Sequence, residues 1–397
     1  MEKQKNRWLI LIAAILINVS LGTGYVWSIF QKALLEFNKD AGWVQTQTAL
    51  AFSISFAMVP VAMTVFGPIV DRQGPKKIVF LSGILFGSGM ILTGLFAHNI
   101  PVLYLTYGVI LGLGIGAGYG AATSTTVKWF PDKKGLAGGL TAAGFGSGAV
   151  FLGPIITKLI GSVGVYNTFV YLGIVLLVVI VGASFFMEKP PAPAQAPGVV
   201  ASSNDKNVGQ MIKDVNFWLL FVVYAMAATA GMMIISQQVQ VTGFYKILDP
   251  ATSIVIIIGI TNTLGRIFWG TVSDKLGRYL TVIAMFVVSG GGLILLNFNQ
   301  TLGSFAGVLG LVAVALSFGG FLGAFPGITA ENWGVKNASA NYGVMFFAYG
   351  IAAIVGPILA TSLFSPEKGY SMAFIVSAGM ALLGILITLF YMSRKKK

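Results

Sequence analysis

Cysteine is absent from the chain, which excludes disulfides, a thiol nucleophile and any cysteine-ligated metal site. Histidine occurs once, as His98 in a turn between two apolar runs, where it is expected to be a surface residue. Charge is also scarce. Asp, Glu, Lys and Arg together supply 9% of the 397 residues, against roughly 25% in a soluble domain, too few to coat a globule in water. The twelve acids (Glu2, Glu36, Asp40, Asp71, Asp132, Glu188, Asp205, Asp214, Asp249, Asp274, Glu331 and Glu367) all fall between apolar runs or near their ends. Within the runs there is thus no carboxylate pair, no Ser/His/Asp set and no metal cluster, so neither enzyme activity, a metal nor a cofactor is expected.

What the chain has instead is apolar length. Hydrophobic residues make up 56% of it, and runs of roughly 20 residues, enough to cross a bilayer as a helix, recur from Trp8 to Met392. The runs predict an all-α membrane protein with twelve transmembrane helices near 8–30, 46–70, 78–97, 101–127, 136–160, 167–187, 217–241, 252–272, 280–298, 303–330, 341–364 and 371–393. Residues 1–187 form one expected six-helix bundle and residues 217–397 a second. Between them, residues 188–216 carry Pro190, Pro191, Pro193 and Pro197 and read as a linker. The first run resembles a signal peptide but lacks a small-x-small cleavage site, so it is read as a retained helix. The 51 glycines fall inside the runs. The series Gly112, Gly114, Gly116, Gly118, Gly120 follows no strand, which argues against a dinucleotide loop and for close helix packing.

The net charge of +13 would suggest nucleic acid in a soluble chain, but its placement follows membrane topology. Alternate loops put Lys3, Lys5 and Arg7, Arg72 to Lys77, Lys128 to Lys134, Lys189 to Lys213, Lys275 and Arg278, Lys336, and Arg394 to Lys397 on one side. Lys32, Lys39, Lys158, Lys246 and Lys368 fall opposite. The positive-inside rule makes the richer side cytoplasmic, with both termini there, in a multi-pass protein of the cell (inner) membrane. Arg266 belongs to neither side. It sits within the apolar run Ile254 to Trp269, where an arginine costs at least about 2.5–3.5 kcal/mol to insert and so implies a function. Its guanidinium is always protonated and can grip a carboxylate with two parallel hydrogen bonds. Asn262, Thr261 and Thr263 nearby are polar, as a cavity lining would be.

The two parts of the chain repeat. Gly67-Pro-Ile-Val-Asp71-Arg72-Gln-Gly74 recurs as Gly270-Thr-Val-Ser-Asp274-Lys275-Leu-Gly277, and Gly153-Pro154 recurs as Gly356-Pro357, both displaced by 203 residues. The Gly-x-x-x-Asp-Arg-x-Gly pattern and its weaker copy resemble the loop signature of the major facilitator superfamily. That resemblance implies its fold of two pseudo-symmetric bundles. Asp71, Arg72, Gly74, Asp274, Lys275 and Gly277 then suit a charge latch between helix ends.

A narrower resemblance rests on Lys128-Trp129-Phe130-Pro131-Asp132-Lys133-Lys134-Gly135, on Asn341-Tyr342-Gly343 and on Asn262-x-x-x-Arg266. Together these resemble the oxalate/formate exchanger family and the monocarboxylate transporters. The resemblance implies a carrier of small organic anions, with Arg266, Asn262, Tyr119, Tyr25, Phe145, Phe318, Phe346 and Tyr349 around the substrate. Two departures matter. Where the oxalate exchangers place a lysine six residues after the Asn-Tyr-Gly glycine, this chain has Tyr349, and a single cation favours a monoanion. Where proton-coupled relatives have an aspartate four residues before the arginine, it has Asn262. The expectation is a monomeric secondary transporter of lactate, pyruvate or formate class, surrounded by lipid, coupled to a proton or a counter-anion. An oxalate/formate-type dicarboxylate exchanger, a carrier of sugars or drugs, and a non-transporting membrane sensor are the alternatives.

Overall fold

A computed structural model of the protein describes residues 6–130, 134–189, 205–334 and 337–395. The prolines of the linker and part of the motif after Trp129 lie outside these described residues, as do the side chains of Asp71 and Asp274. Among the described residues, twelve helices are long and apolar enough to cross a membrane: α1 (Arg7–Phe37), α2 (Gln45–Val70), α3 (Lys76–Phe96), α4 (Ile100–Trp129), α5 (Ala137–Val163), α6 (Val165–Ser184), α7 (Val215–Phe244), α8 (Ile254–Ser273), α9 (Arg278–Asn297), α10 (Ser304–Trp333), α11 (Ala340–Ser362) and α12 (Ser371–Arg394). Among the described residues there is no strand, only an isolated bridge between Ser365 and Gly369.

The surface is apolar where a soluble protein would be polar. Ile12, Val65, Phe151, Val178 and Leu382 are each more than half exposed, as suits a lipid-facing wall whose backbone groups are satisfied within helices. The chain is a multi-pass membrane protein. The end of the bundle that carries the 205–214 stretch is called the linker end below, and the opposite one the far end.

The first and fourth helices depart from the sequence pattern. α1 continues to Phe37 through a 3-10 stretch, Gly22–Val26, rather than ending near residue 30. The polar Gln31 that interrupts the apolar pattern is held by α2, through Thr48 Oγ1 at 2.9 Å. α4 contains a π-helical stretch, Tyr104–Leu111, which no residue type announces.

The first six helices pack chiefly with one another, and so do the last six. α3 lies on α6 and α4, α2 on α4, and α1 on α5; α10 lies on α8 and α9, α7 on α11, and α12 on α9. The two sets meet along α2–α11, α5–α8 and α1–α7. The 203-residue displacement relates α2 to α8 and α5 to α11, so the first two of these contacts are copies of each other. The backbone repeats as well. Gly74 and Gly277 follow α2 and α8 at φ +90 and +82, donating to Val70 O at 2.9 Å and Ser273 O at 3.0 Å. That left-handed region is open to glycine at little cost.

The glycine series on α4 does what close packing requires. A Cβ at Gly112 or Gly116 would stand 2.4 Å from a backbone oxygen of α2, and one at Gly114 would stand 2.5 Å from the Phe86 nitrogen of α3. α4 is thereby wedged between two neighbours at backbone distance, the geometry small residues allow in lipid.

Candidate functional site

Arg266 reaches the centre of the molecule from α8. Around it, α8 and α10 lie backbone to backbone: a Cβ at Gly265 would be 2.1 Å from Leu316 O, and one at Gly319 would be 2.0 Å from Asn262 O. This contact fixes the height and facing of Asn262 and Arg266. Arg266 is 5% exposed and Asn262 fully buried.

Two hydrogen bonds anchor the guanidinium to α5 and to its own helix. Nη1 donates to the Ala142 carbonyl of α5 at 2.7 Å, a bond between the first and last six helices, and Nη2 donates to Asn262 Oδ1 at 3.3 Å. Nε has no partner, nor does Asn262 Nδ2. The hydroxyls of Thr261 and Thr263 turn back to their own helix, to Ile257 O at 2.7 Å and Gly259 O at 2.8 Å. Among the described residues no carboxylate is paired with Arg266; the ion pairs lie elsewhere, at Lys206–Asp214 and Arg278–Glu331.

Aromatic rings close around this cation. Tyr25 of α1 packs edge-on to Phe145 of α5 at a centroid distance of 5.0 Å and stacks on Phe56 of α2 at 5.5 Å. Tyr119 of α4 meets Phe145 at 5.3 Å and Phe346 of α11 at 6.2 Å, and Phe346 stacks on Tyr349 at 4.5 Å. The Tyr25 and Tyr349 hydroxyls lie 3.3 Å apart across the boundary between the two sets of helices. The Tyr25 hydroxyl also interacts with the Arg266 guanidinium.

The cavity they enclose measures about 10 Å³, room for about one water. Of the eight residues singled out by the sequence, Arg266, Tyr25, Tyr119, Phe145, Phe346 and Tyr349 line it. Asn262 stands behind Arg266, and Phe318 stands behind the tyrosines, 6.3 Å from Tyr349 and 6.4 Å from Tyr25. The sequence reading missed Phe56, Val59, Ile115 and Leu322, which complete the wall; an apolar side chain in an apolar helix gives no signal of its facing.

A second feature it missed closes the far end. Gln45 Nε2 of α2 donates to Gln237 Oε1 of α7 and to the Tyr370 hydroxyl at 2.8 Å. Gln240 Nε2 donates to Gln31 Oε1 at 2.9 Å and Ser28 O at 3.2 Å, and Gln238 Nε2 donates to Tyr25 O at 3.0 Å. The signal existed: three glutamines between residues 237 and 240 inside an apolar run require polar partners.

At the linker end the bonds run differently. Lys189 Nζ donates to Arg72 O at 3.0 Å, and Trp129 Nε1 to Glu188 O at 3.0 Å. Arg278 pairs with Glu331 at 2.8 Å and reaches Ser273 Oγ at 2.7 Å. Lys206 pairs with Asp214 at 2.8 Å, and the Lys206 carbonyl accepts from Asn337 and Asn341. Partial burial pushes the Asp214 carboxyl up, but hydrogen bonds from Lys206, the Asn216 amide and Trp333 outweigh it and hold the group below its ordinary range. Of the residues expected to form a latch, Gly74 and Gly277 sit in the turns described above, and the side chains of Asp71 and Asp274 fall outside the described residues.

Comparison with known proteins places this arrangement. A family model described as Major Facilitator Superfamily matches residues 10–357 and again 248–397. The chain is 32% identical over 354 residues to an uncharacterized MFS-type transporter, YhjX, of Escherichia coli, covering 88% of this chain and 87% of that protein. It is 28% identical over 394 residues to the oxalate:formate antiporter of Oxalobacter formigenes, covering 98% and 92%. Monocarboxylate transporter 12 of Rattus norvegicus is 26% identical over 404 residues, covering 93% and 82%. Among solved structures, the xylose transporter XylE of E. coli, in a partially occluded inward-open conformation, superposes with a TM-score of 0.76 over 96% of this chain and 97% of that one, at 13% identity.

Proposed function

The chain belongs to the Major Facilitator Superfamily of transporters, and from that membership we propose that it carries small monocarboxylates, of the lactate, pyruvate or formate class, bound at Arg266. The observation that carries this reading is the buried guanidinium with an unpartnered Nε in an aromatic cavity. A carboxylate there would take the fork of N–H donors and neutralise the charge. Tyr25, Tyr119 and Tyr349 supply neutral hydrogen bonds, Asn262 orients the guanidinium, and Phe145, Phe346 and Phe318 exclude water. The two six-helix sets, residues 1–187 and 217–397, rock about this centre, so that the cavity opens to one face at a time. Arg266 and Ala142, and Tyr25 and Tyr349, span the boundary that moves.

Charge number sets the selectivity. A monoanion beside Arg266 leaves the cavity neutral, whereas a dianion buries an unpaired charge at a cost of several kcal/mol. Tyr349 offers only a neutral hydrogen bond, worth about 0.5–1.5 kcal/mol net. The relative named as an oxalate:formate antiporter keeps the dicarboxylate reading as the competitor. Counterflow in proteoliposomes against formate, lactate, pyruvate and oxalate separates the two: lactate or pyruvate is expected to compete at least tenfold better than oxalate, and Tyr349→Lys to narrow the gap. Equal competition by oxalate overturns the monocarboxylate reading, and absence of counterflow with all four acids overturns transport of these anions altogether.

Orientation is tested with the same chain. Because it has no native cysteine, single cysteines replacing Lys213 and Ser365 report their sides without interference. We expect Lys213→Cys to label from the cytoplasm of the inner membrane and Ser365→Cys from the opposite face.

A further inference from the structure

Between the Arg266 cavity and the linker end stands another pair of hydroxyls. Tyr224 of α7 and Tyr342 of α11 place their oxygens 3.3 Å apart. Tyr224 is buried and stacks on Phe325 of α10 at 3.9 Å, whereas Tyr342 is partly exposed. The Tyr342 ring meets Phe346 edge-on at 5.4 Å, and Phe346 stacks on Tyr349 at 4.5 Å. Spacings of four and three residues put Tyr342, Phe346 and Tyr349 on one face of α11, in that order from the linker end. Both rings of the pair meet Phe346, Tyr224 at 6.3 Å and Tyr342 at 5.4 Å, and Phe346 in turn stacks at 6.2 Å on Tyr119, which comes from α4 in the other set of helices. They therefore face the axis between the two sets and not the lipid.

α11 is also jointed here. Its helix breaks between Ala338–Met345 and Phe347–Ser362, leaving Phe346 as the residue between the segments. Phe346 thus separates two polar places: Arg266 with Tyr25 and Tyr349 on one side, Tyr224 with Tyr342 on the other. Packing alone would be met by phenylalanine at both positions, since their rings already lie against Phe325 and Phe346. Each hydroxyl carries one hydrogen, and the bond between them uses one of the two. A carboxylate oxygen arriving at the pair can accept both. Donors without charge hold an anion more weakly than a guanidinium does, which is what a place of passage requires.

We propose that the Tyr224–Tyr342 pair is a second binding station for the transported carboxylate, on the linker side of Phe346, occupied between Arg266 and the aqueous phase. It rests on the reading of Arg266 as the anion site. The test uses the full chain in inside-out and right-side-out membrane vesicles, with Tyr224→Phe, Tyr342→Phe and the double variant, which keep the rings and remove the hydroxyls. The labelled acid is whichever of formate, lactate, pyruvate and oxalate gives the greatest wild-type counterflow. The double variant is expected to raise KM at the linker face at least fivefold, to change KM at the far face less than twofold, and to keep the equilibrium Kd of the purified protein within twofold. Equal changes at both faces, or none at either, overturn the station. Arg266→Lys, run in parallel, tells the two ideas apart: its normal transport would sink the anion site itself, whereas its failure beside a wild-type-like double tyrosine variant sinks only the station.

Discussion

The two ends of the bundle are held by different chemistry. At the far end, neutral amides of Gln45, Gln238 and Gln240 join α1 and α2 to α7 and Tyr370, across the boundary between the first and last six helices. At the linker end, charged residues tie neighbours on the same side of that boundary: Arg278 to Glu331, Lys206 to Asp214, Lys189 to Arg72. Amide bonds add adhesion without burying charge, so they suit a seam that must close dry and open again. Ion pairs within one set stiffen it without gluing it to the other. Of the bonds named here, those at the far end cross the boundary and those at the linker end do not, so the far end is the one tied across it.

The largest expected effect is at the fulcrum. Arg266→Ala removes the anion's fork and the bond to Ala142 O together. At about 1.5–3 kcal/mol per charge-assisted bond, losing two costs more than about hundredfold in binding, read as ligand-induced thermal stabilisation. Arg266→Lys keeps the charge but not the fork, and should lose about tenfold. Normal transport by Arg266→Ala would mean that the centre is structural and the two ends pivot on something else.

Next comes the seam. Combining Gln45→Ala with Gln240→Ala deletes four of its bonds. At about 0.5–1.5 kcal/mol each this shifts the balance toward far-end opening by about 2 kcal/mol or more, roughly thirtyfold. The readout is alkylation from the far side of a cysteine replacing the buried Ser28. An unchanged rate would show that the amides do not hold the closure.

A smaller shift is expected from Tyr349→Phe, which breaks one neutral bond between α1 and α11 and should speed the same alkylation severalfold, in line with about 0.5–1.5 kcal/mol. The smallest belongs to the linker end. Glu331→Ala removes a partly exposed pair worth about 0.2–1 kcal/mol, lowering the melting temperature slightly while leaving Ser28→Cys alkylation within about twofold. A large opening at either end from this change would erase the distinction between the ends.

These contrasts were unevenly legible in the sequence. The twelve helices and the repeat could be read because lipid demands long apolar runs and because Asp71 and Pro154 recur at one displacement. Arg266 stood out because a cation inside such a run is costly. Gln237, Gln238 and Gln240 were visible as polar residues in α7, but Gln31 and Gln45 as their neighbours were not, since partners across a helix boundary share no sequence pattern. Phe56 and Leu322 were invisible for the opposite reason: they look like every other apolar residue of their helices, and only the packing of α2 and α10 tells which way they face. The joint at Phe346 was likewise invisible, since no glycine or proline stands at that point.

The lone guanidinium has an electrical consequence. If Arg266 holds a monoanion as proposed, the loaded centre would be neutral and would cross between faces without moving charge, whereas the unloaded one would reorient as a monocation within the membrane field. A field acts on that unloaded step with up to about 2.3 kcal/mol per 100 mV and leaves the loaded step untouched. Exchange of one anion for another should therefore be indifferent to an imposed potassium diffusion potential, whereas net efflux, which needs the empty return, should speed or slow with its sign. A single buried arginine with no carboxylate partner among the described residues would thus make the membrane voltage a valve on net flux while leaving exchange open.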